Sequence, residues 1–107
     1  MAIAHAAQGQ KLDIPRLGPV PAEARTQTLF KTAELEVMRL VVLKGKHMPT
    51  HSVARSITLQ CLEGCVAFTT MDRTEQLRPG QILFLEGGQK HALEGIEDSA
   101  LLLTILL

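Results

Sequence analysis

The sequence predicts an all-β fold of the barrel or sandwich class. Short runs of strand-forming residues follow one another along most of the chain, and Gly and Pro residues separate them. One run, Arg55–Leu62, alternates apolar with polar side chains, which is the pattern of a strand buried on one face. No segment longer than a turn or two favours a helix, and Ala22–Arg25 is the one local candidate.

The 107 residues fit a single domain preceded by an arm. Residues 1–25 are rich in Ala, Gly, Pro and Gln, which predicts an extended or poorly ordered N-terminal arm. Residues 26–107 then form the β-barrel domain. The first residues lack the basic start of a signal peptide, and Cys61 and Cys65 do not suggest a disulfide framework. Both observations favour the cytoplasm.

Eight strands are predicted in the domain, with turns between them. Pro79 and Gly80 occupy the second and third positions of Arg78–Gln81, which predicts a type II turn. Asp72–Thr74 predicts a hairpin turn, and Gly87-Gly88 predicts another turn. The predicted strands are Thr26–Thr32, Leu35–Leu43, Arg55–Leu62, Val66–Met71, Glu75–Arg78, Ile82–Leu85, His91–Glu94 and Ala100–Leu107.

Charge and hydropathy exclude two classes of partner. Eleven Lys and Arg residues balance 11 Asp and Glu residues, so the net charge is +0 and no basic surface for nucleic acid is expected. The apolar run at the C-terminus is far shorter than the roughly 20 residues of a membrane helix. Ala100–Leu107 is apolar on both faces, and low net charge removes a barrier to self-association, so we expect a homodimer.

Two glycine- and histidine-containing segments have a recurrent spacing. In the first, Gly45 is followed by five residues, His51-Ser52-Val53, three residues, Ile57, six residues and Gly64. In the second, Gly80 is followed by five residues, Glu86-Gly87-Gly88, two residues, His91, three residues and Gly95.

These spacings resemble the two sequence motifs of the cupin family over roughly Leu35 to Leu107. The resemblance implies an RmlC-like cupin barrel, a jelly roll or double-stranded β-helix that is often dimeric, with a pocket between the motifs. Where the family has its second His and its Glu, this chain has Val53 and Ile57. Glu86 and Gly95 replace the Pro and the Asn of the second motif.

Strand alternation then predicts which side chains face the pocket. His51 and His91 are expected to face one another across its mouth, with hydrocarbon around them. The predicted pocket residues are His51, Val53, Ile57, Leu59, Cys61, His91 and Leu93.

The resemblance also implies a metal site of three His and one Glu, of which only His51 and His91 are present here. Catalytic zinc usually has three protein ligands, and non-haem iron has two His and a carboxylate. His47, four residues before His51, could be a third ligand or a solvated loop residue. Glu86 could be a ligand or an exposed turn residue. Cys61 could be a ligand or a small buried core residue. The expected cofactor is therefore none, or a weakly held divalent Fe, Mn, Ni or Zn ion.

Three functions are compatible with this pattern. The first is binding of a small, largely apolar molecule in the barrel, with a degenerate metal site. The second is a metal-dependent enzyme, a small oxygenase or isomerase, that uses His51, His91 and a third ligand. The third is a dimeric structural or regulatory module without catalysis. Arg55 and Lys90 flank the motifs and could attract an anionic ligand or simply be solvated.

Overall fold

Nine strands form the part of the chain that a computed structural model describes, which is residues 5–14, 17, 26–71 and 73–107. Within those ranges the structure contains no helix that is long and apolar enough to cross a membrane. In chain order the strands are β1 (Gln27–Lys31), β2 (Leu35–Val42), β3 (His47–His51), β4 (Ile57–Glu63), β5 (Val66–Thr70), β6 (Arg73–Leu77), β7 (Ile82–Leu85), β8 (His91–Gly95) and β9 (Ser99–Leu106).

The strands form two antiparallel sheets whose inner faces enclose one core. The first sheet has the order β1-β2-β9-β4-β7, and the second has the order β3-β8-β5-β6. The predicted all-β class is therefore confirmed. The buried residues that pack together between the sheets are Leu40, Val42, Leu59, Cys61, Val66, Phe68, Leu77, Leu93 and Leu101.

β9 lies in the middle of the five-stranded sheet, between β2 and β4, and this position accounts for its apolar composition. Its inner row begins with Leu101, which is fully buried in the core. Its outer row contains Leu102, which is half-buried, and Leu106, which is 39% exposed. The outer face of this sheet therefore exposes apolar side chains beside polar ones such as Thr58.

All eight predicted strands are present, with ends that differ by up to two residues, but β3 was predicted to be a loop. Its sequence, HMPTH, has no apolar alternation, and Pro49 has no N–H to donate. β3 pairs with β8 alone and is an edge of its sheet, where proline is tolerated.

The predicted turns are partly correct. In Arg78–Gln81, Gly80 has φ +88° and the Gln81 N–H donates to the Arg78 carbonyl at 3.0 Å, as a type II turn requires. The hairpin turn comes earlier than predicted, because Arg73 and Thr74 already belong to β6. Asp72 and the helix candidate Ala22–Arg25 lie outside the described residues.

Two described parts of the N-terminal arm contact the barrel. The Ala6 N–H donates to the Leu29 carbonyl of β1 at 3.0 Å. The Leu17 N–H donates to the Glu63 carboxylate at the end of β4, also at 3.0 Å. The division of the chain after residue 25 stays a prediction.

The turn at Gly87-Gly88 holds the loop between β3 and β4. The Gly88 N–H donates to the Val53 carbonyl at 2.8 Å. A Cβ at Gly87 would lie 2.3 Å from the Ala54 carbonyl oxygen and 2.7 Å from the Arg55 Cα. Only glycine allows this approach of two backbone segments.

We predict that Gly87→Ala destabilises the fold by about 3 kcal/mol, because a methyl group must push backbone aside. Gly45→Ala is the matched control. Gly45 has φ +80° but no atom within 4 Å of the added Cβ, so only the backbone cost of about 1 kcal/mol applies. Urea unfolding followed by circular dichroism measures both variants. Equal losses would contradict the contact at Gly87.

Both cysteines are free and buried. The Cys61 thiol donates to the Glu63 carbonyl at 3.4 Å. Burial, and next the neighbouring Cys65, raise the pKa of the Cys61 thiol above its usual value.

A raised pKa leaves less reactive thiolate at pH 8, so we predict that Cys61 resists a disulfide reagent in the folded protein. A timed reaction with 5,5′-dithiobis(2-nitrobenzoate) tests this, with the chain in urea as the control for complete reaction. Labelling of Cys61 in the native chain as fast as in urea would contradict its burial.

Candidate functional site

A cavity of about 100 Å³ lies between the two sheets, at the end of the barrel where β3 ends and β8 begins. Among the described residues, every side chain that lines it is apolar except two imidazoles. The lining residues are Leu40, Met48, His51, Val53, Ile57, Leu59, Phe68, His91, Leu93, Leu103 and Ile105. A wider, open groove between β6 and β7 contains no imidazole or thiol.

The two imidazoles meet because β3 and β8 are paired. His51 and His91 are direct partners in the antiparallel register. Their ring centroids lie 4.3 Å apart, with the ring planes tilted by 60°. The structure thus places the two predicted residues side by side on the cavity wall.

Each imidazole is anchored to the backbone carbonyl of the residue two positions before it. The His51 Nδ1 lies 3.0 Å from the Pro49 carbonyl, and the His91 Nδ1 lies 3.0 Å from the Gln89 carbonyl. A carbonyl oxygen can only accept, so each Nδ1 carries the hydrogen. In the neutral ring, Nε2 then has a lone pair, and it has no hydrogen-bond partner within the described residues.

The two rings differ in their surroundings. His91 is only 7% exposed, and the Phe68 ring stacks on it with centroids 5.7 Å apart and planes 11° from parallel. His51 is exposed and forms the rim. The pair therefore joins a fixed inner imidazole to one that solvent can reach.

Four further predicted residues line the same cavity: Val53, Ile57, Leu59 and Leu93. Cys61 does not. It faces inward like Ile57 and Leu59, but it lies farther along β4, where the core closes and its thiol bonds to backbone carbonyls. The structure does not bring Cys61 to the cavity with the other predicted residues, because alternation fixes the face of a strand and not the depth of a cavity.

His47, the possible third ligand, lies away from the pair. Between Met48 and His51, three steps along β3 match two steps along β8, which is a β-bulge. One extra residue reverses the alternation, so His47 lies beside Glu94 at a groove on the outer face of the sheet. His47 is therefore not brought together with His51 and His91.

The other charged candidates also lie outside the cavity lining. Glu86 is exposed beside the glycine turn. The Arg55 guanidinium donates to the carbonyl of Leu107, and Lys90 is exposed. Over residues 5–14, 17, 26–71 and 73–107, no carboxylate is among the residues that line the cavity.

These residues do not fit the metal that the cupin resemblance implies. Val53 and Ile57 place hydrocarbon at two of the four ligand positions. Within the described ranges, no three His, Cys, Asp or Glu residues come close enough to hold a metal ion. Two neutral imidazoles are fewer donors than the three or four that a catalytic divalent ion usually has.

Sequence reasoning missed five lining residues: Leu40, Met48, Phe68, Leu103 and Ile105. Four of them lie on the inner rows of predicted strands, so alternation alone could have identified them. Met48 could not be found in this way, because its strand was not predicted and the bulge sets its face.

Comparisons with known proteins support the fold. No family model matches the sequence, and no curated protein matches it. The structure is similar to a conserved protein of unknown function from Streptococcus pyogenes, with a TM-score of 0.77 and 20% identity over 99% of this chain and 96% of that one.

Two similar structures are described as cupins. One is a cupin superfamily protein from Desulfitobacterium hafniense, with a TM-score of 0.76 and 18% identity over 92% of this chain and 99% of that one. The other is an RmlC-like cupin family protein with a double-stranded β-helix fold from Methanocaldococcus jannaschii. Its TM-score is 0.73, with 17% identity over 94% of this chain and 93% of that one. The expected fold is confirmed: this chain has the double-stranded β-helix fold of these RmlC-like cupin structures.

Proposed function

We propose that this protein binds a small, largely apolar molecule in the barrel cavity and holds its polar end at His51 and His91. The observation that carries the proposal is a pair of imidazoles, 4.3 Å apart, over a cavity whose remaining walls are apolar. Burying a ligand's hydrocarbon against such walls is favourable by roughly 25 cal/mol per Å² of apolar surface.

The polar end of the ligand is constrained by the imidazole tautomers. Both Nδ1–H groups are used on backbone carbonyls, so the neutral pair offers two acceptors and no donor. A ligand group that only accepts would leave these nitrogens unsatisfied. We therefore infer a ligand with a donor, such as an alcohol, on a short branched hydrocarbon.

Binding has more support than metal-dependent catalysis. An oxygenase or isomerase would need a third ligand, and His47 lies on the other face of its strand. We infer that ligand binding does not need a divalent metal. The two free, buried thiols are compatible with a reducing compartment, and we propose the cytoplasm.

We predict that isobutanol binds about fivefold more tightly than 1-chloro-2-methylpropane, because one hydrogen bond contributes about 1 kcal/mol net. The two probes have similar shapes, and only the alcohol has a donor. Titrations followed by ¹⁵N–¹H NMR measure both affinities, and EDTA is expected to change neither.

His91→Leu and His51→Leu are expected to remove the preference for the alcohol, whereas His47→Leu is the matched control and should retain it. Equal affinities of wild type for the two probes would contradict the role of the imidazoles. No binding of either probe would contradict the cavity as a ligand site.

We also propose a homodimer that forms through the outer face of the five-stranded sheet. Four apolar residues of this face, here called the outer patch, are Ile82, Phe84, Leu102 and Leu106. Ile82 is 61% exposed and Phe84 is 69% exposed. The partners that lie between β7 and β9 on this face, Thr58 and Gln60, are uncharged. β7 is also a sheet edge, which an unpartnered protein usually protects.

Phe84→Glu is expected to convert the dimer to a monomer, because it places a charge inside the proposed interface. Met71→Glu is the matched control: Met71 is 80% exposed but lies in the turn after β5, away from the outer patch. Sedimentation equilibrium measures both variants. A monomeric wild type, or a dimer that survives Phe84→Glu, would contradict this interface. A dimer that persists without any ligand binding would instead favour a structural or regulatory module.

A further inference from the structure

One lining residue adds a third electron-pair donor to the two imidazoles. The thioether of Met48 lines the same cavity as His51 and His91. From these three residues we infer a binding site for a monovalent copper ion, with the two Nε2 nitrogens and the Met48 sulfur as its ligands. The inference goes beyond the proposed function and does not rest on it.

The register of β3 and β8 places the three side chains on one wall of the cavity. Met48 is the partner of Leu93, and His51 is the partner of His91. Leu93 and His91 are two residues apart on β8, so the two pairs are separated by about 6.7 Å along the strand. The unbranched methionine side chain has three rotatable bonds and can span much of that distance.

The donor types favour copper(I) over the divalent ions that cupin sites usually hold. Thioether sulfur is a soft ligand, and soft ligands select Cu(I), whereas imidazole accepts Cu, Zn, Fe and Ni alike. Hard divalent ions would also need carboxylate, carbonyl or water ligands. No carboxylate of the described residues lines this cavity.

The apolar walls of the cavity also favour a monovalent ion over a divalent ion. The cost of moving an ion from water into an apolar medium rises with the square of its charge, so a divalent ion costs about four times as much as a monovalent ion of equal size. Neither imidazole nor thioether offsets this cost with a negative charge. A singly charged ion with few ligands therefore fits the cavity best.

The imidazoles are oriented for this role before any ion arrives. Each Nδ1–H is fixed on a backbone carbonyl at 3.0 Å, which leaves Nε2 as the coordinating nitrogen. Such a second hydrogen bond fixes the ring orientation of a metal-binding histidine and raises its basicity. The stacking of Phe68 on His91 restricts the inner ring further.

The test is anaerobic titration of the full chain with Cu(I), in competition with bicinchoninate as a coloured chelator. We expect one Cu(I) per chain and an affinity for Zn²⁺ at least 100-fold weaker. Met48→Leu, which keeps the hydrocarbon and removes the sulfur, is expected to weaken Cu(I) at least tenfold. His47→Ala is the matched control on the outer face and should bind like wild type.

X-ray absorption of the copper-loaded protein reports the ligands directly. We expect two nitrogen neighbours and one sulfur neighbour in wild type, with the sulfur lost in Met48→Leu. An unchanged affinity or an unchanged sulfur neighbour in Met48→Leu would overturn the site, since the copper would then lie elsewhere, for example on the buried thiols of Cys61 and Cys65. Zinc bound as tightly as copper would also overturn it. The isobutanol titration uses copper-free protein, so the copper site and the proposed ligand binding can be contradicted independently.

Discussion

The antiparallel pairing of β3 with β8 is the constraint on which the site depends. It makes His51 and His91 direct neighbours and sets Met48 beside Leu93. The bulge in β3 is part of this constraint, because without the extra residue His47 and His51 would lie on the same face. An edge strand with a proline is thus the element that assembles the cavity mouth.

The remainder of the barrel supplies a dry, closely packed wall behind that mouth. Leu59, Phe68 and Leu93 come from three strands and two sheets, and all are buried. A hydrocarbon wall of this kind disfavours an uncompensated charge. Deeper in the core and away from the cavity, burial raises the pKa of the Cys61 thiol above its usual value.

Close backbone contacts hold the loops around the cavity in position. Gly87 lies against the loop that carries Val53, and the Gly88 N–H bonds to that residue's carbonyl. Gly95 lies equally close to the carbonyl of Leu43, where the cupin pattern has an asparagine. The other glycines of the two spaced motifs have a different cause. Gly45, Gly64, Gly80 and Gly88 all have positive φ, and of these only Gly64 also lies close to a neighbouring backbone segment.

The sequence by itself determined the all-β class, the eight strands with apolar or alternating patterns, and the type II turn at Pro79-Gly80. These features follow from local physics: the side-chain period of a strand and the φ that glycine and proline permit. The sequence also indicated Val53, Ile57, Leu59 and Leu93 as residues of one face.

Only the tertiary structure decided the remaining features. The sequence of β3 has no periodic pattern. It is a strand because its neighbour β8 supplies the hydrogen bonds. Which residues meet at the cavity depends on a bulge, which changes the face of every residue before it, and on cavity depth, which excludes Cys61. Both are properties of strands packed together, and no single segment encodes them.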